Sequence, residues 1–380
     1  VNDQRYDQFR RDFVAGVWSG VEPLADEIED TGRIPYDRLF PVLREIGAFG
    51  LLIPEGHGGL GLSVTQYLPL IAEVAKSHGG VRALVHVHNS MAHAVAAMAS
   101  PEQAAGVLPG AAAGDRSIAF ALTEPDHGTG ADIGTTARRD NGKYVVNGVK
   151  HLITNSDFAS HFILFAKTGE GRSESAVSAL LVERETPGLH IEPLPETMGC
   201  RGGQHGRLTF TDAVVAADCL IGEEGRGLAQ MEEALEISRV FVAASSLGTA
   251  ERALELSVEY AQRRVTFGRP IAERQAVQRY LAEMATDVYA LRQMLADAAA
   301  KWDGGQRIPA EAAMCKLFGL EAAGRVTDRA LLVHGGLGYT RTFPLERLYR
   351  DARLNWLEEG TPTIQQLVIA RQVLAGNGGA

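Results

Sequence analysis

Glu358-Glu359-Gly360-Thr361 is the stretch whose residue types could do acid–base chemistry. Two adjacent carboxylates and a glycine stand directly before a helix start. A carboxylate in a closed cleft makes a usable general base, because desolvation disfavours its charged form and raises its pKa. Little in the local sequence would pair with it, so a raised pKa is the expectation. A polar turn between two helices is the competing reading of the same residues. The flanks are the elements that must position it. Thr342 can cap a first helix, with Pro344 in its first turn. Leu345, Leu348, Tyr349, Ala352 and Trp356 recur at three- and four-residue steps and form an apolar face. Thr361 then offers an N-cap, Pro362 a first helical position, and Ile364, Leu367 and Val368 a second apolar face.

Composition bounds the rest. The 380 residues are 45% hydrophobic and 22% charged, ordinary for a globular protein of two or three domains. The net charge of −10 and the lack of a basic run argue against a nucleic-acid partner. Cys200, Cys219 and Cys315 lie too far apart for a zinc site or a disulfide framework, which fits a reducing, cytoplasmic setting. The eleven histidines show no metal spacing, so no metal is expected. His205, in GGQHGR, could face a substrate or fill a turn and receives no role. No stretch reads as a targeting segment or reaches membrane-spanning length, and no Gly-x-Ser-x-Gly elbow appears.

The chain reads as helices, then strands, then helices, an α+β order. Residues 1–115 are helical, with Leu39, Val42, Leu43, Ile46 and Phe49 at helical spacing. Gly58-Gly59-Leu60-Gly61 lacks the strand and acidic residue of a dinucleotide fingerprint and reads as a loop. Residues 116–224 hold strand-like runs at 117–123, 143–146, 149–154, 161–167, 179–182, 189–193 and 207–210. Asn147-Gly148 is the predicted hairpin turn between the second and third. An antiparallel barrel or sandwich fits. Residues 225–380 return to helices at 228–242, 247–262, 275–301 and 310–333, the last interrupted by Gly335-Gly336-Leu337-Gly338-Tyr339.

YRDARLNWLEEGTPTIQQLVIAR resembles the C-terminal signature of the acyl-CoA dehydrogenase family, whose catalytic glutamate directly precedes a Gly-Thr pair. That position is Glu359, and Glu358 stands where the family has Tyr. The IPEGHGGLGLS run and the helices–strands–helices order match as well, over nearly the whole chain. The resemblance implies a three-part fold: an N-terminal helical domain, a central β domain and a C-terminal helical bundle. It also implies FAD. Phe120-Ala121-Leu122-Thr123-Glu124-Pro125 resembles the strand end that meets the flavin pyrimidine, although a strand running into a Pro turn explains it too. Val149–Asn155 resembles a second flavin segment: Leu152 replaces its Trp, Ile153 follows, and Thr154 takes the place whose hydroxyl approaches flavin N5. A solvated strand residue is the alternative for Thr154.

Arg264, Thr266, Phe267 and Gln275 resemble the R-x-x-F-G…Q motif that holds FAD pyrophosphate in a neighbouring subunit. A charged helix surface is the generic reading. His334–Tyr339 resembles Q-x-x-G-G-x-G-Y, with Gly335 and Gly336 retained and Leu332 in place of Gln. Thr361 and Thr363 match positions near the cofactor. On the acyl side, Thr129 stands where a Ser meets the thioester, Gly360 adjoins the base, and Glu236 would reach pantetheine. Arg239 would sit behind the catalytic loop. Glu236 and Arg239 could equally be an exposed helical pair.

The implied reaction is α,β-dehydrogenation of an acyl thioester on CoA or a carrier protein. Glu359 takes the α-proton and flavin N5 the β-hydride, with an electron-transfer flavoprotein as acceptor and a homotetramer as the assembly. A flavin oxidase of the same fold and a non-catalytic partner subunit are the alternatives. Some relatives place the base before the arginine of an earlier helix; here that residue is Ser238, which cannot substitute for a carboxylate. Glu358 should point elsewhere than Glu359.

Overall fold

The structure is a computed structural model that describes residues 3–171 and 173–376. Before the strands come α1 (Asp3–Gly16), α2 (Ala25–Thr31), α3 (Tyr36–Glu45), α4 (Val64–Ser77), α5 (Gly79–Met98) and α6 (Pro101–Ala112). Capping boxes start two of them: Ser63 with Gln66 opens α4, and Ser100 with Gln103 opens α6. The glycine-rich run at 58–61 is the loop expected of it.

The strands are β1 (Ile118–Ala121), β2 (Thr136–Asp140), β3 (Lys143–Thr154), β4 (His161–Lys167), β5 (Val177–Glu183), β6 (Leu189–Pro193) and β7 (His205–Ala216). They form one seven-stranded sheet in the order β1-β4-β2-β3-β7-β6, with β5 on β4. Most pairings are antiparallel; β1 and β2 each run parallel to β4. Strands β4 and β5 are apolar without alternation because both faces are covered. Ile163, Phe165, Ala179 and Leu181 pack with α5 and α6, while Phe162, Leu164, Leu180 and Val182 fill the other face.

The hairpin is not where the sequence suggested. Strand β3 runs unbroken through Asn147-Gly148, and the turn is Asn141-Gly142, with φ 48° and 75°. Two left-handed residues in succession are what a two-residue type I′ turn needs. Asn147 instead reaches sideways to β7, where its side chain bonds Asp212 N and Oδ1 at 2.9 and 3.0 Å. Gly148 sits at a register shift, and a Cβ there would lie 2.5 Å from Thr135 Oγ1. The glycine therefore marks a close approach between strands.

The helices that follow are α7 (Gly227–Arg263), α8 (Gln275–Asp303), α9 (Pro309–His334), α10 (Leu345–Asp351) and α11 (Pro362–Leu374), with the short pair β8 (Val265–Thr266) and β9 (Arg269–Pro270) after α7. The two helices read at 228–242 and 247–262 are one. The intervening Ser245 and Ser246 bond back to the Phe241 and Val242 carbonyls at 3.0 and 3.2 Å, so their hydroxyls satisfy themselves inside the helix. Tyr67 and Leu70 of α4 share one core with Phe241 of α7 and Leu291 of α8, so first and last helices form a single body.

Helix α10 is shorter than its apolar spacing implied. Pro344, not Thr342, occupies its N-cap, and Trp356 falls in a separate 3₁₀ turn. The Asp351 carboxylate accepts Gly79 N–H at the start of α5 and the N–H of Cys200, so the helix end is committed to other segments. Nearby, Glu29 of α2 pairs with Arg350 at 2.6 Å and faces His78 at 3.4 Å. Burial pushes the Glu29 carboxyl up, but His78 and Arg350 win and hold it at about 2, against 4.5 for a free glutamate. A depressed carboxyl stabilises the fold above its unfolded pKa and loses that contribution as pH falls through the folded one. Glu29→Gln should therefore cost on the order of 3 kcal/mol at neutral pH. It should also flatten the loss of stability between about pH 4.5 and 2, a slope that denaturant titrations at stepped pH measure.

Candidate active site

Between the 3₁₀ turn Leu354–Trp356 and α11 the chain reverses through Glu358–Thr361. Glu359 has φ 53° and Gly360 φ 96°. A non-glycine residue in this region costs on the order of 1–3 kcal/mol unless its surroundings hold it there. They do. Gln365 Nε2 donates to the carbonyls of Glu359 and Gly360, both at 3.1 Å, and Lys316 Nζ donates to Gly360 O. Gln365 and Lys316 are fully buried, and burial pushes the lysine down to about 8. Thr361 and Pro362 take their expected N-cap and first-turn positions, but the threonine hydroxyl makes no cap bond. The Glu359 N–H has no acceptor among the described residues.

The Glu359 side chain is loaded on one oxygen only. Oε1 meets His86 Nε2 at 2.9 Å and accepts from Ser238 Oγ, which in turn accepts from Ser90 Oγ at 2.8 Å. Oε2 is buried and has no partner. The expectation of a raised pKa is overturned. Burial does push the carboxyl up, but His86, the Ser238 hydroxyl and Lys316 outweigh it, and the pKa falls below the ordinary value. The sequence reading assumed an isolated carboxylate. His86 arrives from α5, 273 positions away, where its lack of metal spacing had given it no significance. Lys316 carried a faint signal, a lysine on the same buried stripe as Ala312, Cys315 and Gly319.

Glu358 points elsewhere, as expected. Both its oxygens take Arg82 Nη1, at 2.9 and 3.2 Å, and Arg82 Nη2 donates to Asn355 Oδ1 at 2.9 Å. Arg82 lies one turn before His86 on α5, and no sequence signal marked it. Glu236 is engaged within the chain. It is buried and accepts from Arg307 at 2.9 and 2.6 Å and from Ile308 N–H at 2.6 Å, so it caps α9. Arg239 is buried too, with Nε unpartnered and the Glu359 carboxylate among the charges acting on it. Neither is the exposed pair that spacing alone allowed.

The ends of β1 and β3 meet. His151 N–H donates to Thr123 O at 2.8 Å, and the buried Lys150 reaches Leu122 O at 3.0 Å and Glu124 Oε1 at 2.7 Å. Leu122 and Ile153 are buried; Phe120 is half-buried, edge-on to Phe165. A register shift between Lys150 and Ile153 turns Leu152 to φ 57° and leaves it 52% exposed. The half-buried Thr123 and Thr154 have hydroxyls with no partner among the described residues. Thr129 is exposed on the loop after β1. Asn155 Nδ2 donates to Leu84 O at 3.2 Å, tying the end of β3 to the helix that carries His86.

A second set lies apart on the helical bundle. Arg264 is exposed and makes no ion pair among the described residues. Thr266 O accepts from Arg274 at 2.7 Å; Phe267, at the hairpin tip, is 97% exposed, and Gln275 opens α8 in solvent. Leu332 is 56% and Tyr339 88% exposed. Gly335 and Gly336 are exposed, the first at φ 59°, ψ −140°, a conformation only glycine adopts readily. Thr361 and Thr363 are exposed and Gly360 half-buried beside them.

Comparison with known proteins gives one answer. Models of the acyl-CoA dehydrogenase N-terminal, middle and C-terminal domains match residues 4–115, 119–213 and 225–374. An acyl-CoA dehydrogenase of Bacillus subtilis (strain 168) is 37% identical over 358 residues, 94% of each chain. The structure of butyryl-CoA dehydrogenase from Megasphaera elsdenii superposes with a TM-score of 0.92 at 31% identity, covering 98% of this chain and 99% of that one. The FAD complex of PigA superposes with a TM-score of 0.92 at 26% identity over 100% and 99%. With three consecutive domain models matched in order, and a half-buried glutamate directly before the Gly-Thr pair, the chain belongs to the acyl-CoA dehydrogenase family.

Proposed function

We propose that the chain catalyses FAD-dependent α,β-dehydrogenation of an acyl thioester, on CoA or a carrier protein, with Glu359 as the base. The observation that carries this reading is the asymmetry of the Glu359 carboxylate: one oxygen holds two donors and the other, buried, holds none. Oε2 takes the α-proton, while the unpaired Glu359 N–H faces the charge that develops on the thioester oxygen. Such a donor is typically worth about 3–4 kcal/mol. Arg239 keeps a positive charge behind this loop, and Thr129 and Gly360 adjoin the thioester.

FAD supplies the hydride acceptor. The residues fit it. Thr123 and Thr154 offer partnerless hydroxyls at joined strand ends, and Leu152 offers an exposed apolar face that a planar ring would cover. Phe120, Leu122 and Ile153 supply apolar surface and backbone groups beside them; Thr361 and Thr363 stand at the mouth. Arg264, Phe267, Gln275, Leu332, Gly335 and Gly336 are exposed in one chain, with Thr266 half-buried among them, which suits a pyrophosphate and adenosine end held by a second copy in a homotetramer. Arg264→Ala should lower flavin occupancy after dialysis, because it removes a charge-assisted phosphate clamp. Full occupancy in that variant, or a monomeric mass by light scattering, would contradict this arrangement.

The whole reading is tested by mixing flavin-loaded protein anaerobically with a panel of acyl-CoA and acyl-carrier thioesters. Bleaching of the flavin absorbance with formation of the enoyl product is expected. An electron-transfer flavoprotein should restore the colour faster than air does; rapid recolouring by oxygen alone would make the protein an oxidase instead.

A further inference from the structure

The donors on Glu359 Oε1 come from two helices that the family signature around Glu359 does not include. His86 stands on α5 and is fully buried, with Nε2 2.9 Å from Oε1. Its other nitrogen, Nδ1, is buried and has no partner. A proton on Nδ1 would be an N–H buried without an acceptor, so the ring carries its proton on Nε2 and donates it to the carboxylate. Ser238 on α7 receives its own hydrogen bond from Ser90 of α5, which leaves its hydroxyl proton for the same oxygen. The ring of His86 is fixed in turn, edge-on to Phe241 with centroids 6.3 Å apart.

Building on the assignment of Glu359 as the base, we infer that His86 and Ser238 are positioning residues that hold Oε1, present Oε2 to the substrate α-carbon and keep the base ionised in a water-poor cleft. Without them a carboxyl with a buried oxygen would take up a proton at higher pH, since burial disfavours its charged form. Two hydrogen bonds to the charged form oppose that, and they act together with the electrostatic pull of His86 and Lys316 to hold the Glu359 pKa below the ordinary value. They also forbid rotation of the carboxylate about its terminal bond, because turning it would strand both donors.

The other groups acting on Glu359 are accounted for. Lys316 of α9 and Arg239 of α7 each interact electrostatically with Glu359, and both have their own pKa values lowered by burial. Tyr67 of α4 is fully buried, and burial keeps its hydroxyl neutral. Glu358, the adjacent carboxylate, has its charge matched by Arg82. None of these places a hydrogen bond on the Glu359 carboxylate. His86 and Ser238 are thus the groups that place hydrogen bonds on the carboxylate itself.

The test is the pH dependence of flavin reduction in His86→Leu, His86→Gln and Ser238→Ala. His86→Leu should move the acid limb of the rate upward by about one pH unit or more, as loss of a hydrogen bond to a buried carboxylate requires. On that limb the rate falls by tenfold or more. His86→Gln keeps an N–H near Oε1 and should keep the limb close to wild type. Ser238→Ala should shift it in the same direction as His86→Leu, and serves as the second variant if His86→Leu does not fold. A readout independent of turnover is the carboxylate infrared band of ligand-free protein, titrated against Glu359→Gln as the blank. Its midpoint should rise in His86→Leu and Ser238→Ala. An acid limb and an infrared midpoint unchanged in both folded variants would overturn the inference while leaving Glu359 as the base. Full turnover in Glu359→Gln would instead overturn the assignment on which it rests.

Discussion

Glu359→Gln should bind flavin normally and lose turnover by at least about a hundredfold, since a general base contributes roughly 10²–10⁴. The substitution is nearly isosteric. The amide oxygen can take the place of Oε1 and keep the bonds from His86 and Ser238, so the fold and the cleft survive. The amide NH₂ then occupies the place of Oε2, where a donor stands in place of an acceptor. No other carboxylate can replace it: Glu358 is tied to Arg82 by both its oxygens, and the residue before Arg239 is Ser238. Single-turnover flavin bleaching measures the loss directly. Activity well above a hundredth of wild type would remove Glu359 from the role of base.

The second large effect is expected at the neighbouring pair. Arg82 is 2% exposed and holds Glu358 on one amino group and Asn355 on the other. Breaking a buried ion pair by removing one partner typically costs about 3–5 kcal/mol, because the survivor keeps its charge and loses its compensation. Arg82→Met should therefore destabilise the protein strongly, and the double variant Arg82→Met, Glu358→Gln should recover most of the loss. Denaturant unfolding at fixed flavin concentration, run as a double-mutant cycle, gives the coupling. Additive losses would mean that the pair is not energetically coupled. Glu358→Gln alone should still turn over, with a changed pH profile or acyl preference, because it leaves Arg82 uncompensated one helical turn from His86. Loss of turnover in Glu358→Gln with retention in Glu359→Gln would exchange the roles of the two glutamates.

Local pattern carried much of this molecule. The order of helices and strands follows from apolar periodicity and glycine placement, which act within a few residues of each other. Glu359 could be singled out because the carboxylate, the Gly-Thr pair and the helix start that make up the family signature are neighbours in the chain. The phosphate-loop reading of the glycines at 58–61 could be dismissed from their neighbours, which supply neither the preceding strand nor the acidic residue. Even the start of α11 is local: Thr361 stands at the N-cap and Pro362 in the first turn, where the sequence put them.

What failed was whatever depended on contact across the chain. Asn147-Gly148 has the composition of a turn, but its neighbours on β2 and β7 claim both residues for the sheet, so Asn141-Gly142 turns instead. Glu236 could have been an exposed helical residue, but Arg307 and Ile308, some seventy positions later, close over it. The sign of the Glu359 pKa shift reversed for the same reason. Burial was foreseeable from the idea of a cleft, but the groups that oppose it come from α5, α7 and α9. By itself the sequence determined the succession of elements and, through its resemblance to a family signature, which carboxylate to propose as the base. Only the tertiary structure decided its charge, its free oxygen and its company, because electrostatic and hydrogen-bond energies depend on distance in space, and periodicity reports only distance along the chain.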